Sequence, residues 1–174
     1  MGAWCSKSKK PIEKKNYDVH LSHVWATGQK EMRIVKTKLL KKKPDLKVFL
    51  DVDDLKDVSD ISGYLERSAC IFIFCSNGYF KSTHCMKSLV SCYKMEKKII
   101  ACLHGLNKEE IKTQLAEAEG MYEKWGFADD TPKGEQLYGK LFEDDAIEWG
   151  ASEGEQNAAI DRIVMQLSNA QPRL

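Results

Sequence analysis

The 174-residue sequence contains no apolar run of the roughly 20 residues that a membrane-spanning helix needs. It has no apolar leader, its six cysteines lack the paired C-x-x-C spacing of zinc sites, and its four histidines show no metal-ligand pattern. Glycine-rich phosphate loops and a G-x-S-x-G nucleophile motif are missing as well. We therefore expect a cytosolic protein with reduced, buried thiols and without a metal site, and these absences argue against common classes of nucleotide-binding and serine-hydrolase enzymes.

A one-sided charge is absent too. The sequence has 27 Lys and Arg residues against 26 Asp and Glu residues, so its formal net charge of +1 gives no reason to expect a nucleic-acid partner. Basic residues nevertheless concentrate in residues 7–15 and 36–47, and acidic residues gather between 109 and 155. The length and the 43% hydrophobic content fit one domain with a sizeable core. We predict a basic tail over residues 1–16 and a single domain over residues 17–170.

The tail carries a lipidation pattern. Gly2 after the initiator Met, with Ser6 at the sixth position, matches N-myristoylation, and Cys5 is a candidate for palmitoylation. The lysines that follow would be attracted to an anionic membrane surface. Because two acyl chains, or one chain with a basic patch, hold a protein stably, we predict a flexible, lipidated tail. It would anchor the chain peripherally at the cytoplasmic face of a membrane; without the anchor, the chain would be cytoplasmic.

Strand-like and helix-like segments alternate beyond the tail. Residues 70–75 form a continuous run of β-branched, aromatic and cysteine residues, typical of a strand that is covered on both faces. Residues 79–93 follow with apolar residues three and four positions apart, which predicts one helix. Since ligands bind at the carboxyl ends of parallel strands, residues 76–85 are the expected location of a site.

The same patterns extend over most of the chain. Further strands are predicted at residues 17–23, 48–51, 98–103 and 146–149, and further helices before Pro44 and at residues 59–68, 107–120 and 157–167. The first strand is predicted to end in a loop through Trp25, Thr27 and Gly28, and residues 121–145 show no clear pattern. About five strand–helix repeats predict an α/β fold in three layers, with a five-stranded parallel sheet and helices on both faces.

Three of these segments resemble the TIR (Toll/interleukin-1 receptor) domain family, in the family's order. Residues 17–23 (YDVHLSH) are similar to its first box, residues 48–55 (VFLDVDDL) to its second strand and BB loop, and residues 76–89 to the end of its third strand and the next helix. The resemblance extends well over residues 17–103 and implies a flavodoxin-like fold. One departure is that no Gly follows Leu55, where many members have one.

The resemblance implies association as one function. Many TIR domains bind other TIR domains, of the same or of another protein, through the BB loop and neighbouring helices. The corresponding interaction loop consists here of Val52, Asp53, Asp54, Leu55, Lys56, Asp57 and Val58. It combines three apolar residues with four charged ones, which suits a small apolar contact with a charged, partner-selecting rim. A well-solvated loop with Leu55 packed inward is the other interpretation.

Cleavage of NAD is the second function that the resemblance implies. Members with this activity use a Glu on the helix after the third strand, and the ungapped match places Ser88 in that position. A neutral hydroxyl cannot stabilise the positive charge that develops on the ribose as its bond to nicotinamide breaks. We therefore assign no catalytic residue. The implied nucleotide pocket, with position 88 facing the crevice, would consist of His23, Trp25, Asp53, Asp54, Tyr79 and Ser88.

The sequence thus predicts a membrane-anchored signalling module that acts by TIR–TIR association and has no NAD-cleaving activity. We expect no bound cofactor, although NAD remains a possible ligand or substrate. The alternative is an NAD hydrolase of the TIR type that uses a carboxylate at a non-standard position. An unrelated flavodoxin-like nucleotide binder is a third possibility, because a fold does not determine a function.

Overall fold

Five parallel strands form the centre of the computed structural model, which describes residues 16–51 and 60–170. Their bounds are β1 Tyr17–Ser22, β2 Val48–Phe49, β3 Ser68–Cys75, β4 Lys98–Leu103 and β5 Ile147–Glu148. They lie in the order β2-β1-β3-β4-β5, and each neighbouring pair is parallel. The tail residues 1–15 and the loop residues 52–59 lie outside the described residues.

Helices cover both faces of this sheet. In the described ranges they are α1 Trp25–Lys42, α2 Ile61–Glu66, α3 Thr83–Lys94, α4 Lys108–Glu119, α5 Gly134–Leu141 and α6 Glu153–Ala170. Helices α1 and α6 share one apolar core with the sheet, and α2 to α5 share a second core on the opposite face. The predicted three-layer α/β fold with a five-stranded parallel sheet is confirmed.

Strand β3 lies in the middle of the sheet because its sequence is apolar on both faces. The six side chains from Cys70 to Cys75 are fully buried. They enter the two cores alternately, with Cys70, Phe72 and Phe74 on the side of α1 and α6, and Ile71, Ile73 and Cys75 on the side of α2 to α5. A strand buried on both faces needs this continuous apolar sequence, and the residues that predicted the strand therefore also explain its central position.

The first helix begins earlier than predicted. Its sequence favours a loop through Trp25, Thr27 and Gly28, but α1 starts at Trp25 and includes all three. A Cβ atom at position 28 would lie 3.0 Å from His23 Cβ and 3.3 Å from a ring carbon of Phe74. Glycine therefore lets the first turn of α1 pack closely against the ends of β1 and β3, and this packing outweighs the low helix propensity of glycine.

The segment after β3 is broken into two pieces. One helix over residues 79–93 was expected from the apolar spacing, but the structure has a 3-10 turn at Tyr79–Lys81 and then α3. Ser82 separates them in an extended conformation, and its hydroxyl accepts a hydrogen bond from the Cys85 amide at 3.2 Å. This N-cap starts α3. The spacing did not reveal the break because the residues of the turn are buried in the same core as α3.

The last third of the chain follows the sequence prediction in part. Asn107 and Glu110 exchange the two hydrogen bonds of a capping box, and Gly120 follows the end of α4, as predicted. The unassigned residues 121–145 contain α5, a helix of only eight residues. Helix α6 begins at Glu153 rather than at 157, because its first turn is exposed and polar and so lacks an apolar pattern.

Candidate functional site

A cleft opens at the carboxyl edge of the sheet, between the starts of α1 and α3. Its volume is about 290 Å³, and it is lined by His23, Val24, Trp25, Ala26, Ser82, His84 and Cys85. Trp25 remains 55% exposed, so the cleft is open to solvent on that side. The volume lies at the lower end of those of known ligand sites. The cleft is thus suited to a single ring-sized group rather than to a whole dinucleotide.

Hydrogen bonds close the crevice between β1 and β3, where the strand order reverses. Thr27 Oγ1 donates to the carbonyl oxygen of Asn77 at 2.8 Å and lies 2.9 Å from Ser76 Oγ. The hydroxyl groups of Ser22 and Tyr79 are 2.7 Å apart. The open cleft therefore lies beside this crevice rather than within it. The predicted site segment, residues 76–85, contributes its first residues to the closure and its last residues to the cleft.

His23 supplies a polar group to the cleft wall while being only 3% exposed. Its Nδ1 lies 3.3 Å from the carbonyl oxygen of Leu21, and because a carbonyl only accepts, Nδ1 carries the proton and donates. The other ring nitrogen, Nε2, is then an acceptor, and it has no hydrogen-bond partner among the described residues. A ligand or water that brings an N–H or O–H group into the cleft would satisfy it.

Asp51 lies two residues after β2 and is 6% exposed. Its Oδ1 is 3.6 Å from Nε2 of His20, which is too long for a hydrogen bond. Neither this oxygen nor Nδ1 of His20 has a hydrogen-bond partner in the described part of the chain. The His20 ring instead stacks on Phe49, with the ring centres 4.5 Å apart. Buried polar atoms are nearly always bonded in folded proteins, so this group of unsatisfied atoms marks a place for water or a ligand.

Burial disfavours charge in this cluster. Burial, together with the smaller effects of the neighbouring His23 and His84, lowers the pKa of His20 to about 3. Burial also lowers the pKa of His23, although the Leu21 carbonyl and Asp51 oppose this effect. The pKa of Asp51 is raised by burial, and His23 and His84 oppose that rise. The His20 imidazole is therefore unprotonated at neutral pH, and its contact with Asp51 is not an ion pair.

The cysteine of the cleft is not a nucleophile in this state. The Cys85 thiol points to the carbonyl oxygen of His23 at 3.5 Å, and burial raises its pKa to about 11, so the reactive thiolate is scarce at neutral pH. The five cysteines in the described ranges are buried and free. Residues 16–51 and 60–170 contain no group of three or more His, Cys, Asp or Glu side chains that could hold a metal ion. None of the described helices is long and apolar enough to cross a membrane.

Only part of the predicted nucleotide pocket meets at the cleft. His23 and Trp25 line it together. Tyr79, another residue of the predicted pocket, is fully buried, and its ring packs against Phe80 with the ring centres 5.1 Å apart. It therefore offers no free face to a ligand. Its position just after the end of a strand did not show whether its side chain is exposed at the sheet edge or buried in the core.

Ser88 does not line the cleft, contrary to the prediction. Its side chain is buried and its hydroxyl donates to the carbonyl oxygen of His84 at 3.2 Å, one turn earlier in α3. His84 and Cys85, which lie four and three residues before it, line the cleft in its place. Asp53 and Asp54 lie outside the described residues, as do the rest of the interaction loop and the lipidation candidates Gly2 and Cys5.

Several members of the site were not predicted from the sequence. Asp51, His20 and His84 were not assigned to it, although His84 affects the pKa values of both His20 and Asp51. Two signals were available. His20 interrupts the apolar strand β1 on the face opposite to Val19, and Asp51 follows the apolar strand β2 almost directly. Polar residues at such positions favour a buried polar cluster at a strand end.

Comparison with solved structures identifies the fold. The TIR domains of the activated Roq1 resistosome, which directly recognizes the pathogen effector XopQ, match 87% of this chain and 99% of that chain, with a TM-score of 0.64 and 20% sequence identity. The TIR domain of the Toll-related receptor TRR-2 from Hydra magnipapillata matches 53% of this chain and 74% of that chain, with a TM-score of 0.41 and 20% identity. No family model and no curated protein matches the sequence. The five-stranded parallel sheet with helices on both faces is a flavodoxin-like fold. The likeness to the Roq1 TIR domains shows further that the chain has the fold of a TIR domain.

Proposed function

We propose that this chain is a signalling module that acts by associating with TIR domains, either its own copies or those of other proteins. The observation that carries the proposal is the fold, which is that of TIR domains found in an activated assembly, the Roq1 resistosome. The match extends over 87% of the chain. Association needs only a complementary surface, and the sequence offers a suitable loop at residues 52–58.

The interaction loop, residues 52–58, is the surface that we propose for this association. It follows Asp51, the last described residue before it, and Asp51 lies at the same carboxyl edge of the sheet as the cleft. Three apolar residues among four charged ones provide a small apolar contact and a rim that selects partners by charge. An association of this kind is sensitive to reversal of the loop's charges, because like charges facing each other across an interface oppose binding.

Charge reversal in the loop tests the proposal directly. We expect the double variant Asp53→Lys and Asp54→Lys to weaken self-association or binding to a partner TIR domain by about tenfold or more, measured by sedimentation velocity. The matched control is Glu117→Lys with Glu123→Lys, two exposed positions on and after α4 that reverse the same number of charges. Circular dichroism verifies that both variants remain folded. Equal association by both variants would place the interface elsewhere.

A second candidate function is NAD cleavage with a carboxylate at a non-standard position. The observation that favours it is Asp51, a buried carboxyl whose electrostatic neighbours include His23 and His84 of the cleft wall. Release of nicotinamide from NAD by the purified chain separates this function from pure association. If cleavage occurs and Asp51→Asn removes it while the fold is kept, Asp51 supplies the carboxylate. If no nicotinamide is released, association alone remains.

The helix geometry makes position 88 a test of gained activity. Side chains on a helix point back towards its N-terminus, so a longer side chain at 88 reaches towards His84 and Cys85, which line the cleft. We expect Ser88→Glu to create or raise NAD cleavage, because one well-placed electrostatic group is commonly worth about 10²- to 10³-fold in rate. Ser88→Gln is the matched control with the same length and no charge. Equal rates for the two variants would contradict the electrostatic argument.

We further propose that the tail holds this module at the cytoplasmic face of a membrane. Gly2 and Cys5 supply two candidate acylation sites, and the lysines of residues 7–15 supply the basic patch. Gly2→Ala should release the chain from the membrane fraction of cells. Cys5→Ser should give a weaker and reversible association, since one acyl chain and the basic patch remain. Unchanged membrane recovery of the Gly2→Ala chain would overturn the anchor.

A further inference from the structure

The sheet has an amino edge, opposite to the cleft. Because the strands are parallel, their amino ends share one edge, and α1 runs back from the end of β1 so that its last turn returns there. The exposed residues Lys41, Lys42, Lys43 and Lys47 lie at this end of α1 and in the turn that leads to β2. We call these four residues the basic edge. They come from the second basic stretch of the sequence.

The basic edge lies directly beside the point where the tail joins the domain. The amide of Asp18, the second residue of β1, donates to the carbonyl oxygen of Lys47 at 2.8 Å. In return, the Lys47 amide donates to the Asp18 carboxylate at 2.7 Å. The domain therefore begins with a strand that is bonded to the basic edge, and the basic tail precedes that strand in the sequence.

Part of this charge is already compensated within the domain. Lys42 pairs with Asp161 of α6, and Lys43 donates to the uncharged hydroxyl of Ser168 at 3.4 Å. The side chains of Lys41 and Lys47 make no ion pair with the described residues, and both are exposed. Lys41, Lys43 and Lys47 therefore have no ion pair among the described residues, and the exposed Asp45 in the same turn offsets one of these three positive charges. Cations at a helix C-terminus interact favourably with the helix dipole, which accounts for lysines in the last turn of α1. Lys47 lies beyond the helix, so this effect does not explain its presence.

The other half of the same edge is less positive. Near the starts of β4 and β5, Lys98 pairs with Asp144, and the exposed Glu143 and Asp145 flank that pair. Lys97 adds a positive charge there, and its Nζ donates to the carbonyl oxygens of Glu66 and Ser68. Lysines without an ion pair among the described residues are therefore more numerous on the half with β2 and β1, and an anionic plane brought to this edge is attracted more strongly to that half.

We infer that the basic edge is the face that the folded domain presents to an anionic lipid bilayer. The inference rests on the proposed tail anchor for its biological setting, but the charge attraction does not require the lipid. In this orientation, the cleft lies at the opposite edge of the sheet, about 26 Å away if the eight residues of β3 rise by about 3.3 Å each. Asp51, after which the interaction loop begins, lies at the cleft's edge too, so the association proposed for the loop would take place away from the membrane.

The test uses the full-length chain with Gly2→Ala, so that acylation plays no part in it. Its binding to phosphatidylcholine vesicles with 30% phosphatidylserine is compared with that of the triple variant Lys41→Gln, Lys43→Gln and Lys47→Gln. We expect the triple variant to bind on the order of a hundredfold more weakly, since each lysine near an anionic surface contributes about 1 kcal/mol, which is roughly fivefold in affinity. The matched control is Lys30→Gln, Lys81→Gln and Lys112→Gln, three exposed lysines near the carboxyl edge, and it should change binding little.

Hydrogen exchange on vesicles gives an independent measure of the orientation. We expect amides 41–47 to gain protection and amides 104–112, at the opposite edge, to gain none. Equal losses in the two triple variants, or no loss in either, would overturn the inference. So would a triple basic-edge variant that loses more affinity for a short single-stranded RNA than for vesicles. These outcomes differ from failure of the anchor, which is measured by the Gly2→Ala chain in cells.

Discussion

The two faces of β1 carry opposite chemistry. Val19 and Leu21 enter the core beneath α1 and α6, a cluster whose members are all apolar. His20 and Ser22 alternate with them and enter the other layer, where His20 lies near Asp51 and Ser22 bonds to Tyr79. One strand therefore supports a purely stabilising core on one side and the candidate site on the other. Substitutions on the face towards α1 and α6 should therefore change mainly the stability of the fold. Substitutions on the face towards the site should change its pH dependence or its ligand binding.

The largest expected effect is on the apolar face. Phe72 of β3 is fully buried in the core of α1 and α6, so Phe72→Ala should lower the free energy of unfolding by about 3–5 kcal/mol, measured by urea denaturation. The loss combines the transfer of the ring to water with the cavity left behind. Phe72→Leu is the control and should cost less because it leaves a smaller cavity. A cost below about 1 kcal/mol for the Ala variant would mean that this face is not a close-packed core.

A smaller effect is expected from pH on the polar face. The pKa of His20 is lowered to about 3 in the folded state, against about 6.5 when unfolded, so only the unfolded chain takes up this proton between those values. Stability from this group is complete above pH 6.5 and is lost as the pH falls towards 3. Between pH 7.5 and pH 5 the loss should be about 2 kcal/mol. His20→Phe keeps the stacking on Phe49 and should make the pH profile flatter by that amount. An unchanged slope in urea denaturation across this range would contradict the neutral, buried histidine.

The smallest effect is expected at Asp51. Because burial raises its pKa above the unfolded value of 3.8, its ionised form costs stability at pH 7, and this cost disappears as the pH falls below 3.8. Asp51→Asn should therefore raise the free energy of unfolding at pH 7 by about 1 kcal/mol and give no gain near pH 3.5. Denaturation at both pH values provides the measurement. A loss of stability at pH 7 would mean that the carboxylate has a hydrogen-bonding role in the folded state.

Most of the architecture could be predicted from the sequence because its signals are local. The apolar run at residues 70–75 identified the central strand, the 98–103 segment identified β4 at its observed bounds, and Asn107 with Glu110 identified the start of α4. Each of these patterns shows either which side chains of one short element are buried or where a helix begins or ends. The predictions failed at Trp25 and Tyr79, where close packing around Gly28 and the cap at Ser82 decided the local structure.

The candidate site was less predictable. His23 and Trp25 line the cleft, whereas Tyr79 and Ser88, which were expected there from their sequence positions alone, are buried instead. Sequence position near a strand end identifies an edge and does not give the direction of a side chain. That direction depends on the turn between β3 and α3 and on the phase of the helix that follows it.

The sequence by itself determined the layers of this protein: which segments are strands, which are helices, and which of their faces are apolar. This follows because side-chain periods of 2 and 3.6 are properties of a few neighbouring residues. Only the tertiary structure decided that His20, Asp51 and the residues of the cleft meet. They come from β1, the end of β2 and the start of α3. His20 and Asp51 are neighbours because β2 pairs with β1 in the register that places Val48 beside Val19, and the start of α3 joins them because β3 pairs with the other side of β1. Strand order and register depend on contacts between distant segments, and no local pattern specifies them.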